Sequence, residues 1–85
     1  MAYYIVVLSK KAQKALDKFS DHIADPILDA IADLEENPKP IGSKNLKGRD
    51  GYRIRVGDYR IIYDVFDTEL IIDVVALGQR KDIYK

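Results

Sequence analysis

The stretch GYRIRVGDYRIIY, residues 51–63, contains two runs of alternating apolar and basic residues joined by Gly57-Asp58. A two-residue connection with glycine at its first position suits a type II′ turn, the tight turn of many β-hairpins. In such a hairpin Arg55 lies directly opposite Arg60. The stretch therefore predicts two antiparallel strands, and the rest of the fold can be worked out around them.

Side chains alternate between the two faces of a strand, so the predicted hairpin has two unlike faces. One of them, called here the arginine face, carries Arg53, Arg55 and Arg60. The other carries the apolar and aromatic side chains of Tyr52, Ile54, Val56, Tyr59, Ile61 and Tyr63. Like charges opposite each other in a sheet destabilise it by about 0.2–1 kcal/mol, so function rather than stability explains the arginines, and a bound polyanion would be their natural counter-charge.

The half of the chain before the hairpin predicts one strand and two helices. Residues 3–8 are β-branched and aromatic on both faces, which predicts a strand with both faces at least partly covered. Ser9 is a suitable N-cap for a helix that starts at Lys10. A second helix follows Ser20-Asp21 and ends before Asn37.

The start of the second helix is open to two interpretations. Asp21 could cap it, which leaves Pro26 inside the first two turns. Alternatively, Asp25 could be the N-cap, with Pro26 at the first helical position, where a missing N–H does no harm. The apolar stripe is the same in both cases and consists of Ile23, Ile27, Ile31 and Leu34.

The second half of the chain predicts a surface connection and two more strand segments. Residues 37–51 lack a period, so they form a surface connection, with Ile41 and Leu46 as anchors to the core. The second hairpin strand continues to Phe66. A turn at Asp67-Thr68 then leads to a last strand over residues 69–77, in a register that would place Val75 opposite Arg60 and Leu77 on the arginine face.

The element order is thus β-α-α-β-β-β, in an α+β fold. A helical hairpin packed on one face of a mainly antiparallel four-stranded sheet is the economical arrangement of these elements. With 85 residues, 47% of them hydrophobic, residues 1–85 are long enough for a single domain with one core and too short for two.

The formal net charge of zero hides a strong division along the chain. Residues 17–36 carry seven acidic side chains against Lys18, and five of the aspartates recur every fourth residue. That spacing is typical of a solvated helix face, with a metal-binding or partner-binding stripe as the alternative. Residues 44–60 instead carry six basic side chains against Asp50 and Asp58, so a polyanion-binding surface is compatible with the neutral total.

Several function classes find no support in the sequence. The chain has no cysteine, which excludes disulfides and thiolate chemistry, and no apolar run long enough to cross a membrane. His22 is the single histidine, and such a residue is more often a surface or capping group than a catalyst. Asp64 and Asp73 could face one side of the sheet, where they would balance the arginines. We therefore expect no metal, no cofactor, no membrane contact and a cytoplasmic location.

The segment GQRKDIY, residues 78–84, follows the last predicted strand and adds further candidate residues. Arg80 could fold back towards the arginine face, while Tyr84 offers a ring for base stacking. Guanidinium groups beside an aromatic surface form a suitable site for single-stranded RNA. The catalytic candidates are Arg55, Arg60, Arg80 and Tyr84, and the RNA-binding candidates are Lys44, Lys47, Arg49, Arg53 and Lys81.

The element order, the phrase LKGRDGYRIRVGDYRIIYDV at 46–65 and the ending LGQRKDIY at 77–84 resemble the RelE toxins of the RelE/ParE toxin–antitoxin superfamily. The resemblance implies an endoribonuclease that cuts mRNA in the ribosomal A site through the RNA 2′-hydroxyl. It also implies a cognate antitoxin that wraps the toxin, and operator DNA binding only through the toxin–antitoxin complex. Arg60, Arg80 and Tyr84 match family positions, and they would stabilise the scissile phosphate and hold a nucleotide.

Two departures from the family pattern bear on mechanism. Arg53 and Arg55 replace lysines seen in some members, and Gln79 stands where many relatives carry His or Lys. Arginine is a poor proton acceptor, so the site is expected to act through electrostatics and positioning of RNA already held on the ribosome. A gyrase poison of the ParE type and a member that only binds its antitoxin and operator are the alternative functions.

Overall fold

The computed structural model describes residues 3–46, 48 and 51–79 of the chain. They form two helices and five strands in an α+β arrangement, in the order β-α-α-β-β-β-β. The helices are α1 (Lys10–Asp17) and α2 (Asp21–Leu34). The strands are β1 (Ile5–Leu8), β2 (Lys44–Asn45), β3 (Tyr52–Val56), β4 (Tyr59–Phe66) and β5 (Ile71–Gln79).

The strands form one sheet in the order β1-β5-β4-β3-β2. β1 runs parallel to β5, and the other neighbours are antiparallel. The predicted fold class and element order are confirmed, but the sheet has five strands rather than four. The additional strand is the two-residue β2, in which Lys44 pairs with Arg53 and Asn45 with Tyr52. Such a short pairing leaves no periodic pattern in the sequence.

Ser9 joins the start of α1 to the sheet. Its Oγ accepts a hydrogen bond from the Ala12 N–H at 3.1 Å, as expected for the N-cap, and donates one to the Val75 carbonyl at 2.9 Å. The Ser9 N–H also donates to the Val74 carbonyl, at 3.0 Å. The predicted cap is therefore confirmed, and it fixes the helix against β5.

α2 begins at Asp21 and encloses Pro26. This agrees with the first of the two interpretations of its start, although Ser20 occupies the N-cap position and makes no side-chain cap hydrogen bond. The Ser20 hydroxyl instead lies 3.0 Å from Nδ1 of His22, which is exposed. Pro26 is exposed as well, so its ring points away from the core while it removes one helical hydrogen bond.

The core lies between the two helices and the sheet face that they cover. Buried side chains from α1 and α2 meet buried side chains from β3, β4 and β5: Ala12, Leu16, Ile27, Ile31, Leu34, Ile54, Ile61, Tyr63, Ile72, Val74 and Leu77. Tyr63 is fully buried, and its hydroxyl donates a 2.7 Å hydrogen bond to the Pro38 carbonyl. Burial raises the pKa of Tyr63 to about 12, since the charged phenolate would be poorly solvated there.

The helices cover a single face of the sheet, so the first strand, which was expected to be at least partly covered on both faces, is well covered on one face and only partly on the other. Tyr4, Val6 and Leu8 pack towards the core, whereas Ile5 and Val7 on the other face are 67% and 47% exposed. No helix in the described part of the chain is long and apolar enough to span a lipid bilayer.

The register between β4 and β5 differs from the prediction. Phe66 pairs with Ile71 rather than with Glu69, and Leu70 takes a left-handed conformation, with φ 57°, just before β5. An irregularity beside Ile62 then shifts the pairing by one residue, which is the signature of a β-bulge. Val75 is the unpaired extra residue, so Val75 does not lie opposite Arg60.

The bulge also reverses the predicted faces for the end of β5. Leu77 pairs with Ile61 and belongs to the core, whereas it was expected on the arginine face. Ala76 pairs with Ile62 and was expected in the core, but it lies on the arginine face. Gly78 takes the place opposite Arg60. Because glycine has no side chain, residue 78 places none beside Arg60.

Candidate functional site

The hairpin of β3 and β4 forms the centre of the candidate site, as predicted. Arg55 pairs with Arg60, and Ile54 pairs with Ile61. Gly57 has φ 59°, whereas Asp58 has no positive φ, which fits a type II′ turn. Local sequence alone determines this hairpin, because both the turn glycine and the alternating side chains lie within residues 52–63.

Four cationic side chains lie on the arginine face around one cavity. Arg53, Arg55 and Arg60 come from the hairpin, and Lys44 joins them because β2 pairs with β3. The cavity has a volume of about 220 Å³ and is lined by Gly42, Lys44, Arg53, Ile54, Arg55 and Arg60. The structure thus brings together four of the nine predicted site residues.

The two opposed arginines differ in exposure. Arg55 is exposed, whereas Arg60 is 7% exposed and is the one buried charged side chain among the residues described. A buried charge needs partners, and Arg60 makes at least one polar, electrostatic or ring interaction. In the same part of the chain, no buried side-chain nitrogen or oxygen lacks a hydrogen-bond partner. Arg60 is therefore held in position before a ligand arrives, while Arg55 is free to adjust.

The arginine face changes its charge along the sheet. Asp64 on β4 pairs with Asp73 on β5, and both are half-buried on the same face as the arginines. The expectation that these two carboxylates share this face is confirmed. They lie towards β1, where Ile5 and Val7 are exposed, so the face is basic at the β2–β3 edge and apolar to acidic at the β1 edge.

A larger cavity, of about 740 Å³, lies at the end of β3 and is lined by Asn45, Leu46, Gly51, Tyr52, Asp64, Val65 and Phe66. None of these seven residues is a cation, and one is an aspartate. This cavity therefore lacks the groups that a phosphate requires, and the smaller basic cavity is the better candidate site.

The other five predicted site residues lie outside the described part of the chain, and their roles stay predictions. They are Lys47, Arg49, Arg80, Lys81 and Tyr84. Gln79 is described. It pairs with Tyr59, whose ring packs on the core side at 5.0 Å from the Phe19 ring. Gln79 therefore belongs to the opposite side of the sheet from the arginines, and its difference from the family pattern does not alter the basic cavity.

No metal site accompanies the basic cavity in the described part of the chain, where no three potential ligand side chains gather. The aspartates of α2 are all exposed, which agrees with a solvated helix face. Arginine and lysine side chains with this geometry can bind a phosphodiester and stabilise negative charge that develops on it.

Ile41 was assigned wrongly from the sequence. It was expected to anchor the 37–51 connection to the core, but it is 106% exposed, and Gly42 beside it lines the basic cavity. Leu46, the second expected anchor, is half-buried. The signal for the exposure of Ile41 is the sequence Pro40-Ile41-Gly42-Ser43, in which the glycine suits the third position of a type II turn.

Comparison with known proteins identifies the family. The family model described as the ParE toxin of the type II toxin–antitoxin system, parDE, matches residues 6–84. An Escherichia coli protein described as RelE-like toxin is 35% identical over 86 residues, which cover 95% of this chain and 90% of that protein. The mRNA interferase toxin RelE of Escherichia coli strain K12 is 26% identical, with 95% of this chain and 86% of that protein covered.

Solved structures agree with the sequence comparison. The archaeal RelE–RelB complex from Pyrococcus horikoshii OT3 contains a chain that is 30% identical, with a TM-score of 0.79 over 94% of this chain and 98% of that one. The similarity extends over both helices and the sheet. The chain therefore belongs to the RelE/ParE family of type II toxin–antitoxin systems, and it is a RelE-type toxin.

Proposed function

We propose that this protein is a ribosome-dependent endoribonuclease that cleaves mRNA in the ribosomal A site and so inhibits translation. The observation that carries the proposal is the basic cavity, in which Arg55 and Arg60 face each other beside Arg53 and Lys44. Like charges that face each other across a sheet, such as Arg55 and Arg60, repel, and a bound polyanion would offset that repulsion.

The size of the cavity suits part of a nucleotide. Pockets that enclose whole small-molecule ligands measure about 300–1,000 Å³. At about 220 Å³, the basic cavity is smaller, so it fits a phosphodiester group while the attached bases stay outside. The exposed Arg55 and Lys44 would meet the RNA first, and the buried Arg60 would lie nearest the scissile phosphate.

The proposed reaction needs no cofactor. The 2′-oxygen of the RNA attacks the adjacent phosphorus, the bond from phosphorus to the 5′-oxygen breaks, and the proton lost by the 2′-hydroxyl is balanced by one gained by the leaving 5′-oxygen. Arg60 and Arg80 would stabilise the charge on the phosphoryl oxygens, and Tyr84 would hold a nucleotide. The residues that line the cavity include no histidine or carboxylate, so the protein contributes charge and orientation more than proton transfer.

Dependence on the ribosome follows from this chemistry. Orientation of reacting groups contributes as much as about 7–11 kcal/mol to a reaction barrier. A protein without its own general base benefits most from RNA that the ribosome already holds in one fixed conformation. mRNA in the A site meets that need, and Lys47, Arg49 and Lys81 would add further phosphate contacts.

The proposed partners are a cognate antitoxin, the ribosome and its mRNA, in the cytoplasm. The relative from Pyrococcus horikoshii was solved in complex with RelB. An antitoxin that approaches the arginine face with acidic side chains would remove the charge that RNA needs. Operator DNA would be contacted only through the toxin–antitoxin complex.

A second candidate function is poisoning of DNA gyrase, which is favoured by the match to a ParE family model. Arg53 and Arg55 on the cavity and Tyr84 near the end of the chain favour RNA cleavage. A third outcome, a toxin fold that binds only its antitoxin and operator, would leave both transcripts and chromosomal DNA intact.

Cleavage on programmed ribosomes, followed by mapping of the new RNA ends, tests the proposal. Wild-type protein should cut within codons at the A site, and Arg60→Ala should slow single-turnover cleavage by about 10²–10³, the scale for loss of one positioned donor. Arg60→Lys keeps the charge and loses the guanidinium fork, so its cleavage rate should lie between those of the wild type and Arg60→Ala. Lys14→Gln, on the exposed side of α1, is the matched control and should cut at the wild-type rate.

Because Arg60 is buried, thermal unfolding of each variant must show that the fold persists before its rate is interpreted. Gyrase-linked DNA breaks without RNA cuts would favour the second candidate function. A folded Arg60→Ala protein that cuts at the wild-type rate would remove Arg60 from the catalytic site.

A further inference from the structure

Ile41 is the most exposed large apolar side chain in the described part of the chain, at 106%. A single exposed apolar side chain is common on protein surfaces, so its exposure alone assigns it no role. The position of Ile41 in the chain does suggest one. The next residue, Gly42, lines the basic cavity, and so does Lys44. Ile41 is therefore adjacent in the chain to the wall of the candidate site.

A tight turn holds Ile41 in this position. The Ser43 N–H donates a 3.0 Å hydrogen bond to the Pro40 carbonyl, which closes a four-residue turn with Ile41 at its second position. Gly42, at the third position, has φ 97°, as a type II turn requires. Pro38 and Pro40 further restrict the backbone on one side, and the β2 pairing restricts it on the other. The side chain is thus displayed by a rigid element rather than by a loose loop.

The other exposed apolar side chains have different surroundings. Ile5, Val7 and Phe66 lie at the β1 end of the arginine face, near Asp64 and Asp73. Tyr3 lies beside Glu36, and Leu28 lies on the helix side. Ile41 is the one among them that is next in the chain to a residue lining the basic cavity. A ligand that fits both an apolar side chain and a cationic cavity must carry an anion and a flat apolar group a short distance apart. Single-stranded RNA has this alternation of phosphate and base.

We propose that Ile41 is a nucleobase contact, on which an unpaired base packs when the neighbouring phosphate occupies the basic cavity. This inference rests on the proposed function, since it takes RNA as the ligand of the cavity. An aliphatic side chain offers no hydrogen bond, so the contact discriminates between a base and no base rather than between one base and another. Ile41 thereby sets the position of the nucleotide and leaves base identity to other contacts.

The test measures binding of a single-stranded oligoribonucleotide that carries 2′-O-methyl groups and so cannot be cleaved. A set of abasic versions removes one base at a time. For the wild-type protein, one abasic position should weaken binding by about five- to tenfold, as expected when a base covers one aliphatic side chain. Ile41→Ser should weaken binding of the intact oligonucleotide by a similar factor and should abolish the penalty at that abasic position.

Leu28→Ser is the matched control, because it also replaces an exposed aliphatic residue but lies far from the cavity on α2. It should bind RNA like the wild type. Ile41→Trp should bind the intact oligonucleotide more tightly, since a larger flat surface stacks better.

Two results would overturn the inference, and they can be told apart. If Arg53→Gln and Arg55→Gln weaken binding while Ile41→Ser does not, RNA uses the cavity without Ile41, and only this inference fails. If none of the three changes affects binding, the cavity does not hold RNA, and the proposed function fails with it. If Ile41→Ser weakens binding of the antitoxin but not of RNA, the side chain contacts the protein partner, and the inference is likewise overturned.

Discussion

Replacement of Arg55 by glutamine should make the protein slightly more stable and much less active. Arg55 lies directly opposite Arg60 across the hairpin, and Arg55 is exposed whereas Arg60 is buried. Like charges in such a pair are unfavourable by about 0.2–1 kcal/mol. Glutamine keeps most of the length of the side chain and its capacity to donate hydrogen bonds but removes the charge, so the free energy of unfolding should rise by that amount.

The gain can be measured by urea unfolding. For a domain of this size, the denaturant slope is about 1 kcal/mol/M, so the midpoint should rise by about 0.2–1 M. Because Arg55 faces solvent, salt screens the repulsion, and the gain should shrink between 0.05 M and 1 M salt, as the screening length falls from about 14 Å to about 3 Å. Lys14→Gln removes an exposed cation from the last turn of α1 and should give no gain.

The same variant should cut mRNA on ribosomes more slowly, because it removes a cation from the cavity wall. A fall in the urea midpoint, or a gain that does not depend on salt, would refute the reasoning. Either result would mean that Arg55 stabilises the sheet and is not an electrostatic cost retained for ligand binding.

Three further predictions concern the fold that supports the site. The pKa of Tyr63 is about 12 in the folded protein and about 10 when unfolded, so the free energy of unfolding should fall as the pH rises from 10 to 12. Urea unfolding should show a smaller fall over this pH range for Tyr63→Phe, which has no phenol to ionise at position 63. Ser9→Ala removes the cap of α1 and the hydrogen bond to the Val75 carbonyl, and it should lower the free energy of unfolding by about 1–2 kcal/mol; an unchanged urea midpoint would show that water replaces both contacts. Deletion of Val75 removes the extra residue and leaves β5 in regular alternation, with Leu77 still on the core face, but it also removes the carbonyl that accepts the Ser9 hydroxyl; thermal unfolding should therefore show a loss of only about 0.5–1.5 kcal/mol, and a loss of several kcal/mol would mean that the bulge itself is needed to pack β5.

The sequence predicted the hairpin correctly because the determinants of its register are local. Gly57 permits the turn, and each strand alternates between charged and apolar residues. β5 lacks such a signal. Its residues 71–77 are apolar at almost every position, so a register shifted by one residue fits the hydrophobic pattern equally well. Packing against the whole core decides the bulge at Val75.

The candidate site shows the same division between local and tertiary determinants. The shared face of Arg53, Arg55 and Arg60 follows from strand alternation. The burial of Arg60 and the position of Lys44 depend on neighbouring elements, which no local pattern encodes. Ile41 is exposed although it is strongly hydrophobic, because the turn that Gly42 makes possible decides its position.

The parallel pairing of β1 with β5 has a consequence for the order in which the fold forms. Ile5 pairs with Ile71, so the edge strand β1, which is synthesised first, cannot pair until β5, its neighbour in the sheet and the last strand in the chain, has been synthesised. The hairpin of β3 and β4, by contrast, closes through a two-residue turn, and closing a short loop requires little entropy. During synthesis the hairpin can therefore form early, but the covered core waits for β5. Contacts between distant parts of a chain slow folding, so the nascent toxin should pass through a stage in which its arginine hairpin exists before the sheet that holds Arg60 in place.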